Sequence, residues 1–241
     1  MSKINILIPA AGAGSRFAKE GYAKPKPFID VLGKPMIVRV LENLSVDDAH
    51  YIIILQKAHL EKEKELCNVI AKDYNVSFVG VESLTEGTAC SVLHARELIN
   101  NDTPLMIANS DQIVDIDIAN FINDCKNRHL DGSILCFKDK EENPKWSFVK
   151  MNGDLIVEVK EKEVISDIAT VGIYLFSKGR LFVDSAIDMI ARNDRVNNEF
   201  YTALAYNYAI KNGAKIGCFL MEFDEMHGIG TPSDLEKYIG R

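Results

Sequence analysis

The chain of 241 residues contains no run approaching the ~20 consecutive apolar residues that a membrane-spanning helix needs, so no bilayer-embedded segment is expected. It has no Cys-x-x-Cys pair. Its five cysteines (Cys67, Cys90, Cys125, Cys136 and Cys218) are scattered and odd in number, which argues against a disulfide framework and for reduced thiols in a cytoplasmic protein. The five histidines include no His-x-x-x-His or His/Cys metal spacing, so neither a zinc site nor a Ser-His-Asp hydrolase is supported. The opening MSKINILIPA lacks the charged-then-apolar order of a signal peptide. Repeats, low-complexity tracts and Gly/Ser-rich linkers are also missing, which leaves one large α/β domain or a domain with a smaller lobe. There is no excess of positive charge either. At a net charge of −7, nucleic acid and anionic membranes are not expected partners, and a polyanion must be met by a local positive site.

What is present is an ordinary globular composition, 47% hydrophobic and 26% charged, with strand and helix patterns alternating along roughly the first 135 residues. Strands are predicted at Ile4–Ile8, Tyr51–Leu55, Val76–Val79, Leu105–Ala108 and Gly132–Phe137. Helices are predicted at Pro35–Leu44, His59–Asp73, Ala89–Leu98 and Ile118–Arg128. Apolar strands alternating with helices indicate a doubly wound, mainly parallel α/β sheet covered on both faces. After Lys138 the pattern changes to shorter strands, Ser147–Met151, Leu155–Val159 and Thr170–Phe176, with a turn at Asn152-Gly153. Helices at Leu181–Arg192 and Glu199–Asn212, a strand at Ala214–Glu222 and a terminal helix follow. Thr231 is the expected N-cap of that last helix, with Pro232 at N1 and Asp234 in the first turn. One domain over 1–241 is expected: a nucleotide-binding part (1–137), a smaller antiparallel acceptor-binding or lid layer (138–225) and a C-terminal helix (226–241).

The chemistry concentrates in residues 4–37. The strand Ile4–Ile8 runs into Pro9-Ala10-Ala11-Gly12-Ala13-Gly14, a stretch with almost no side chain, where backbone N–H groups can approach an anion closely. Ser15 and Arg16 follow. Lys26 stands between Pro25 and Pro27, so its ammonium is carried on a stiff backbone. A backbone cradle with one guanidinium and one rigidly held ammonium suits a nucleoside triphosphate. A dinucleotide fingerprint is disfavoured, because Phe17 stands where the third glycine belongs. Lys24 and Lys34 read as a solvated lysine and a turn lysine.

Taken together, Gly-x-Gly-Ser-Arg, Pro-Lys-Pro and Gly33-Lys34-Pro35-Met36-Ile37 resemble the sugar-phosphate nucleotidyltransferases, the nucleoside-diphospho-sugar pyrophosphorylases. The resemblance recurs in order along most of the chain, at Glu86-Gly87-Thr88-Ala89, Asn109-Ser110-Asp111, Glu158–Lys162, Gly172-Ile173-Tyr174 and Gly230–Leu235. It implies a Rossmann-like, GT-A-like fold and attack of a phosphorylated acceptor on the α-phosphorus of a nucleoside triphosphate with release of pyrophosphate. Arg16, Lys26 and Asp111 would be catalytic, with Asp111 binding Mg²⁺ at the carboxyl end of a strand. Ala10, Ala11, Gly12, Ala13, Gly14, Ser15, Gly87, Thr88 and Ser110 would bind the nucleotide. Glu161, Lys162, Gly172, Asn198 and Glu199 would face the acceptor.

Two departures from the family pattern bear on specificity. Gly228 stands where many members carry a second metal-binding aspartate; Asp224 or Glu222 could stand in, or one metal suffices. In the base-reading segment, where the family often has glutamine, the nearest candidate is Glu82. A carboxylate accepts hydrogen bonds only, which would favour cytosine or guanine over uracil and thymine. The opening Pro9-Ala10-Ala11-Gly12 also resembles CTP-using transferases, so CTP is the favoured nucleotide, although Glu82 could equally be a solvated loop residue. The expected acceptor is a sugar phosphate, or a non-sugar phosphate such as phosphocholine or phosphoglutamine in surface-polysaccharide synthesis. Asn197–Tyr201 could face the acceptor or a subunit partner in a homo-oligomer, or Asn198 could simply cap a helix. Trp146 could wall the acceptor site or fill the core. Asp115-Ile116-Asp117 mimics a glycosyltransferase metal motif but reads as a helix start capped by Asp117. The rival readings are a glycosyltransferase and a non-catalytic nucleotide-binding regulator.

Overall fold

Side-chain alternation on the first strand sets the architecture. In the computed structural model, which describes residues 3–240, Ile4, Ile6 and Ile8 face one hydrophobic layer while Leu7 faces the other. Met1, Ser2 and Arg241, at the ends of the expected domain, lie outside the described residues.

The strands, in chain order, are β1 (Ile4–Pro9), β2 (Asp30–Val31), β3 (Lys34–Pro35), β4 (Ala49–Gln56), β5 (Val76–Val81), β6 (Leu105–Ala108) and β7 (Gln112–Val114). The second half adds β8 (Gly132–Lys138), β9 (Ser147–Asn152), β10 (Leu155–Glu161), β11 (Ile168–Phe176), β12 (Ile216–Met221) and β13 (Met226–Gly228). Nine of them form one sheet in the order β5-β4-β1-β6-β11-β8-β12-β10-β9. The first four are parallel, as their near-continuous apolar runs predict. Beyond them β11 runs antiparallel to both β6 and β8, and β9 and β10 form a hairpin. The antiparallel half therefore extends the same sheet. Helices cover both faces. Met36–Asn43, Lys64–Asp73, Ile118–Asn127 and Pro232–Ile239 bury side chains in one core; Thr88–Leu93, Gly179–Ala191 and Ala205–Lys211 do so in the other.

Two features of this topology place the site. Strand β1 is flanked by β4 on one side and β6 on the other, so the winding reverses there, and ligands of open sheets bind outside the carboxyl ends of strands at such a point. Those ends deliver Ala10–Gly14 and Asn109–Asp111. The second feature is a short ribbon in which β7 pairs antiparallel with β13, Gln112 against Gly228, returning the end of the chain to the residue after Asp111.

Several predicted elements need correction. The helix over His59–Asp73 breaks at Glu63 (φ −112°, ψ 28°) into Lys57–Lys62 and Lys64–Asp73, and that over Ala89–Leu98 breaks into Thr88–Leu93 and Arg96–Ile99. The helix expected from Glu199 starts as a 3₁₀ turn at Thr202 and becomes α-helical only at Ala205. The cause is tertiary: the Phe200 N–H donates to the Glu86 carbonyl at 2.7 Å and the Phe200 carbonyl accepts from the Ala89 N–H at 2.9 Å, which holds that backbone extended. Asn198 therefore caps no helix. With Asn197 it forms a tight turn of two left-handed residues (φ 63° and 51°), the geometry that Asn tolerates best after glycine. The predicted caps at Asp117 and Thr231 are present, accepting from the Ala119 and Asp234 N–H groups at 2.9 and 3.1 Å.

Candidate active site

Three adjoining cavities open along the carboxyl ends of β1 and β6. The first, of about 370 Å³, is lined by Ala10–Gly14, Lys26, Thr85, Gly87, Thr88, Ser91 and Ser110. Ala10, Ala11, Gly12, Ala13 and Gly14 thus share one cavity with Lys26, Gly87, Thr88 and Ser110. Ser15 instead starts the short helix Ser15–Lys19, on which Arg16 rides. Phe17, the residue that breaks the dinucleotide pattern, is buried and packs edge-on against Tyr22, so this turn is built for core packing there and not for a third glycine.

Lys26 and Asp111 meet at the junction of the first two cavities, Nζ to Oδ2 at 2.5 Å. Lys26 opens the 3₁₀ turn Lys26–Phe28, and Pro27 and Phe28 are buried, so the ammonium is carried by a backbone anchored in the core. Asp111 is held from the other side. Its carbonyl accepts the Ile229 N–H at 2.9 Å, and a Cβ at Gly230 would lie 2.3 Å from its Oδ2. Only glycine lets the backbone of residue 230 pass that carboxylate. The β7–β13 ribbon, too short to show in the sequence pattern, creates this approach.

The second cavity, of about 540 Å³, contains Asp111, Arg16, Asp224 and Asp234. Arg16 has no carboxylate partner among the described residues and stands ready for an external anion. Of the two proposed substitutes for the missing aspartate at 228, Glu222 is spent: it forms a reciprocal capping box with Glu225. Asp224 remains open to the cavity. Among the described residues no three His, Cys, Asp or Glu side chains gather as a preformed metal cage. This donor set fits Mg²⁺, which takes one or two carboxylates and completes its shell with water and substrate phosphates. Asp115 lies with its Oδ2 2.6 Å from the His227 Nε2 and lines none of the three cavities.

The third cavity, of about 260 Å³, lies where β11 meets the end of β6. Its register against β8 shifts between Thr170 and Tyr174, a bulge at Gly172 (φ +95°). That glycine faces Asn109, whose Nδ2 would lie 2.1 Å from a Cβ there, and its carbonyl accepts the Asn109 N–H at 3.1 Å. Glu161 lines the cavity. Burial raises its carboxyl above the ordinary range, opposed by the hydrogen bond donated by the Ser147 hydroxyl. Thr88, Asn109, Tyr201 and Thr202 complete a wall of hydroxyl and amide groups suited to a polyhydroxylated ligand.

Some predicted residues sit elsewhere. Glu82 pairs with Lys57, its side chain is 77% exposed, and it lines none of the three cavities. Lys162 donates to the Tyr201 hydroxyl at 2.8 Å and lies outside the lining of the third cavity, as does Asn198. Glu199, expected on the acceptor side, lines the first cavity with the glycine loop. Tyr201, in the cluster whose role the sequence left open, lines the third cavity; Thr85, Ser91, Thr202 and Lys145 carry no signal in the sequence. Thr202 is tied to Thr88 by two bonds of 3.0 and 3.1 Å across 114 residues, a contact with no local signal.

The chain is similar to known proteins over nearly its whole length. It is 28% identical to the mannose-1-phosphate guanylyltransferase catalytic subunit beta of Dictyostelium discoideum, over 98% of this chain and 64% of that protein. It spans between 55% and 64% of the length of the first curated relatives it matches. Among solved structures it superposes on a nucleoside-diphosphate-sugar pyrophosphorylase from Vibrio cholerae RC9 with a TM-score of 0.81 and 22% identity, covering 98% of this chain and 100% of that one. The inositol-1-phosphate CTP transferase of T. maritima gives 0.76 and 13%, covering 100% and 95%. These last two establish the doubly wound nucleotidyltransferase fold. With the nucleotidyl transferase family model matching residues 5–239, around the cavities just described, the chain belongs to that family.

Proposed function

We propose that the protein transfers a nucleoside monophosphate unit from a nucleoside triphosphate to a small sugar phosphate and releases pyrophosphate. The observation that carries this reading is the Lys26–Asp111 pair. It joins a backbone-lined cradle suited to an anion to a carboxylate at the carboxyl end of β6, and Arg16, without a carboxylate partner among the described residues, lines the same cavity as Asp111. A phosphate oxygen of the acceptor attacks the α-phosphorus, the new P–O bond forms, and the bond to the β-phosphate breaks. Little covalent work falls to the protein, and the rate comes from positioning two polyanions and neutralising growing charge. The Ala10–Gly14 amides hold the triphosphate, Arg16 takes the leaving β/γ-phosphates, and Lys26 follows the charge at the α-phosphate. Asp111, with Asp224, would hold Mg²⁺, which when bound offsets the charge of the phosphate oxygens.

For the base, Glu199 in place of Glu82 supplies the acceptor-only carboxylate in the nucleotide cavity. This favours bases presenting amino donors over uracil and thymine; among the former, the mannose-1-phosphate guanylyltransferase relatives fit GTP and the opening Pro-Ala-Ala-Gly fits CTP. A hexose 1-phosphate is the expected acceptor, given the hydroxyl-lined cavity around Glu161.

The test is pyrophosphate release over the four nucleoside triphosphates, with Mg²⁺, against a panel of sugar phosphates, phosphocholine and phosphoglutamine. Release that requires both substrates is expected. Turnover of a finished nucleotide sugar to free nucleoside diphosphate would instead establish a glycosyltransferase.

A further inference from the structure

Two claims meet on one carboxylate. Asp111 is the group that would hold a divalent cation, and it already holds the Lys26 ammonium, Nζ to Oδ2 at 2.5 Å. A cation on the same carboxylate would meet a positive charge a few ångströms away, and a partly buried site screens that repulsion poorly. The pair is partly buried, with side chains 19% and 29% exposed for Lys26 and Asp111. Oδ2 is also flanked on its other side, because the backbone of residue 230 passes so close that a Cβ there would lie 2.3 Å away. Ammonium and dication therefore compete for Asp111.

Of the two partners, Lys26 is the one able to leave. The Asp111 carbonyl is tied to the Ile229 N–H at 2.9 Å, and its short side chain cannot reach far from that anchor. The Lys26 backbone is equally fixed, between Pro25 and the buried Pro27 and Phe28, but its ammonium sits on a flexible four-carbon stem. The two side chains also face different spaces. Lys26 lines the first cavity, with the Ala10–Gly14 loop, whereas Asp111 lines the second, with Arg16 and Asp224. Among the described residues Lys26 has no second carboxylate within ion-pair distance and Asp111 no second cation. A triphosphate in the first cavity offers the ammonium several charged acceptors in place of one. Drawing Lys26 back to them uncovers Asp111 towards the second cavity.

We infer that the Lys26–Asp111 pair is a latch coupling the two occupants of the site. Lys26 covers the carboxylate until a triphosphate draws the ammonium into the cradle, so Asp111 takes a divalent cation poorly alone and well beside a triphosphate. This deepens the proposed transfer reaction and rests on that reading for the identity of the anion. By linkage the coupling is reciprocal: whatever factor the triphosphate adds to cation affinity, the cation adds to triphosphate affinity.

The experiment uses Mn²⁺ alone as the probe, its free concentration read by electron paramagnetic resonance against the full chain without nucleotide. Lys26→Met and Lys26→Gln, both lacking the ammonium, should bind Mn²⁺ roughly 10-fold or more tightly than wild type, within the usual 5- to 150-fold span of coupled sites. Lys26→Arg, which can still pair with the carboxylate, should stay near wild type, and Lys26→Met combined with Asp111→Asn should lose the tight site. Arg16→Met removes a charge from the Asp111 cavity without opening the latch, so its gain should be much smaller. A reciprocal arm measures CTP and GTP affinity in chelator by calorimetry. Asp111→Asn should tighten the nucleotide more in the wild-type background than in Lys26→Met, a double-mutant cycle with non-zero coupling. Equal Mn²⁺ affinity in wild type and both ammonium-free variants, an equal gain in Arg16→Met, tight Mn²⁺ in the double variant, or an additive cycle overturns the latch. Pyrophosphate release is scored separately: if no pair of nucleotide and sugar phosphate yields it, the reaction reading fails, and the Mn²⁺ titration still decides whether Lys26 covers Asp111.

Discussion

The nucleotide side and the acceptor side of the site are built from different materials. The first is backbone: five small residues at the end of β1, with a lysine and an aspartate already locked together. The second is side chain: a buried glutamate, hydroxyls and an amide, assembled by a bulged strand, a 3₁₀ turn and a braced loop. On the proposed function, a backbone seat would grip what all triphosphates share, whereas a side-chain seat can be rewritten one residue at a time without disturbing the sheet. The contrast teaches that, in such a reaction, reaction type and acceptor choice would reside in separable parts of one fold.

Breaking the nucleotide side should cost most. Lys26→Ala removes a donor from the developing charge and leaves Asp111 without its partner; kcat is expected to fall by a factor of ~100, about 3 kcal/mol, in steady-state pyrophosphate release. A drop of only a few-fold would take Lys26 out of the mechanism. Gly230→Ala comes next, because its Cβ would meet the Asp111 carboxylate at 2.3 Å. A displacement of ~1 Å at a reacting group can cost ~100-fold, so a loss of roughly 10- to 100-fold in kcat is expected with triphosphate binding retained.

On the acceptor side Glu161→Gln should be milder, roughly a tenfold rise in the sugar-phosphate KM as one charged hydrogen-bond acceptor is lost. It also carries a pH signature. Burial raises the Glu161 carboxyl above its ordinary 4.5, so its contribution to stability is fully present below that value and is lost as pH rises through the folded-state value. Wild type should therefore lose Tm relative to Glu161→Gln on going from acid to neutral pH; parallel Tm–pH curves for the two proteins would contradict this. The smallest effect is expected from Glu82→Ala. Its ion pair with Lys57 is exposed, so the choice among CTP, GTP, UTP and TTP should be unchanged and stability should shift by less than about 1 kcal/mol, measured by nucleotide competition and thermal melting.

The same division separates what the sequence reveals from what it hides. Ile4–Ile8 and Leu105–Ala108 are legible because buried parallel strands demand unbroken apolar runs, and the caps Asp117 and Thr231 are legible because their bonds span only two or three residues. Lys26 stands out in the sequence by its flanking prolines and Asp111 by its place after a buried strand. Glu82, by contrast, was assigned from its position in a pattern, and an exposed partner at Lys57 was invisible there. The late start of the helix after Glu199 follows from Phe200 docking on Glu86 and Ala89, more than a hundred residues away, and no local rule contains it. Lys145 escaped notice because an isolated surface lysine has no signature. Its place emerges only when the loop organised by Asp139 brings it over Trp146.

The ribbon between β7 and β13 has a bearing on how the protein comes into being. Asp111 receives its last two constraints, the Ile229 N–H and the close pass of Gly230, from residues translated more than a hundred positions later. A chain lacking residues 226–230 would therefore lose both constraints on Asp111 while keeping the strand that carries it.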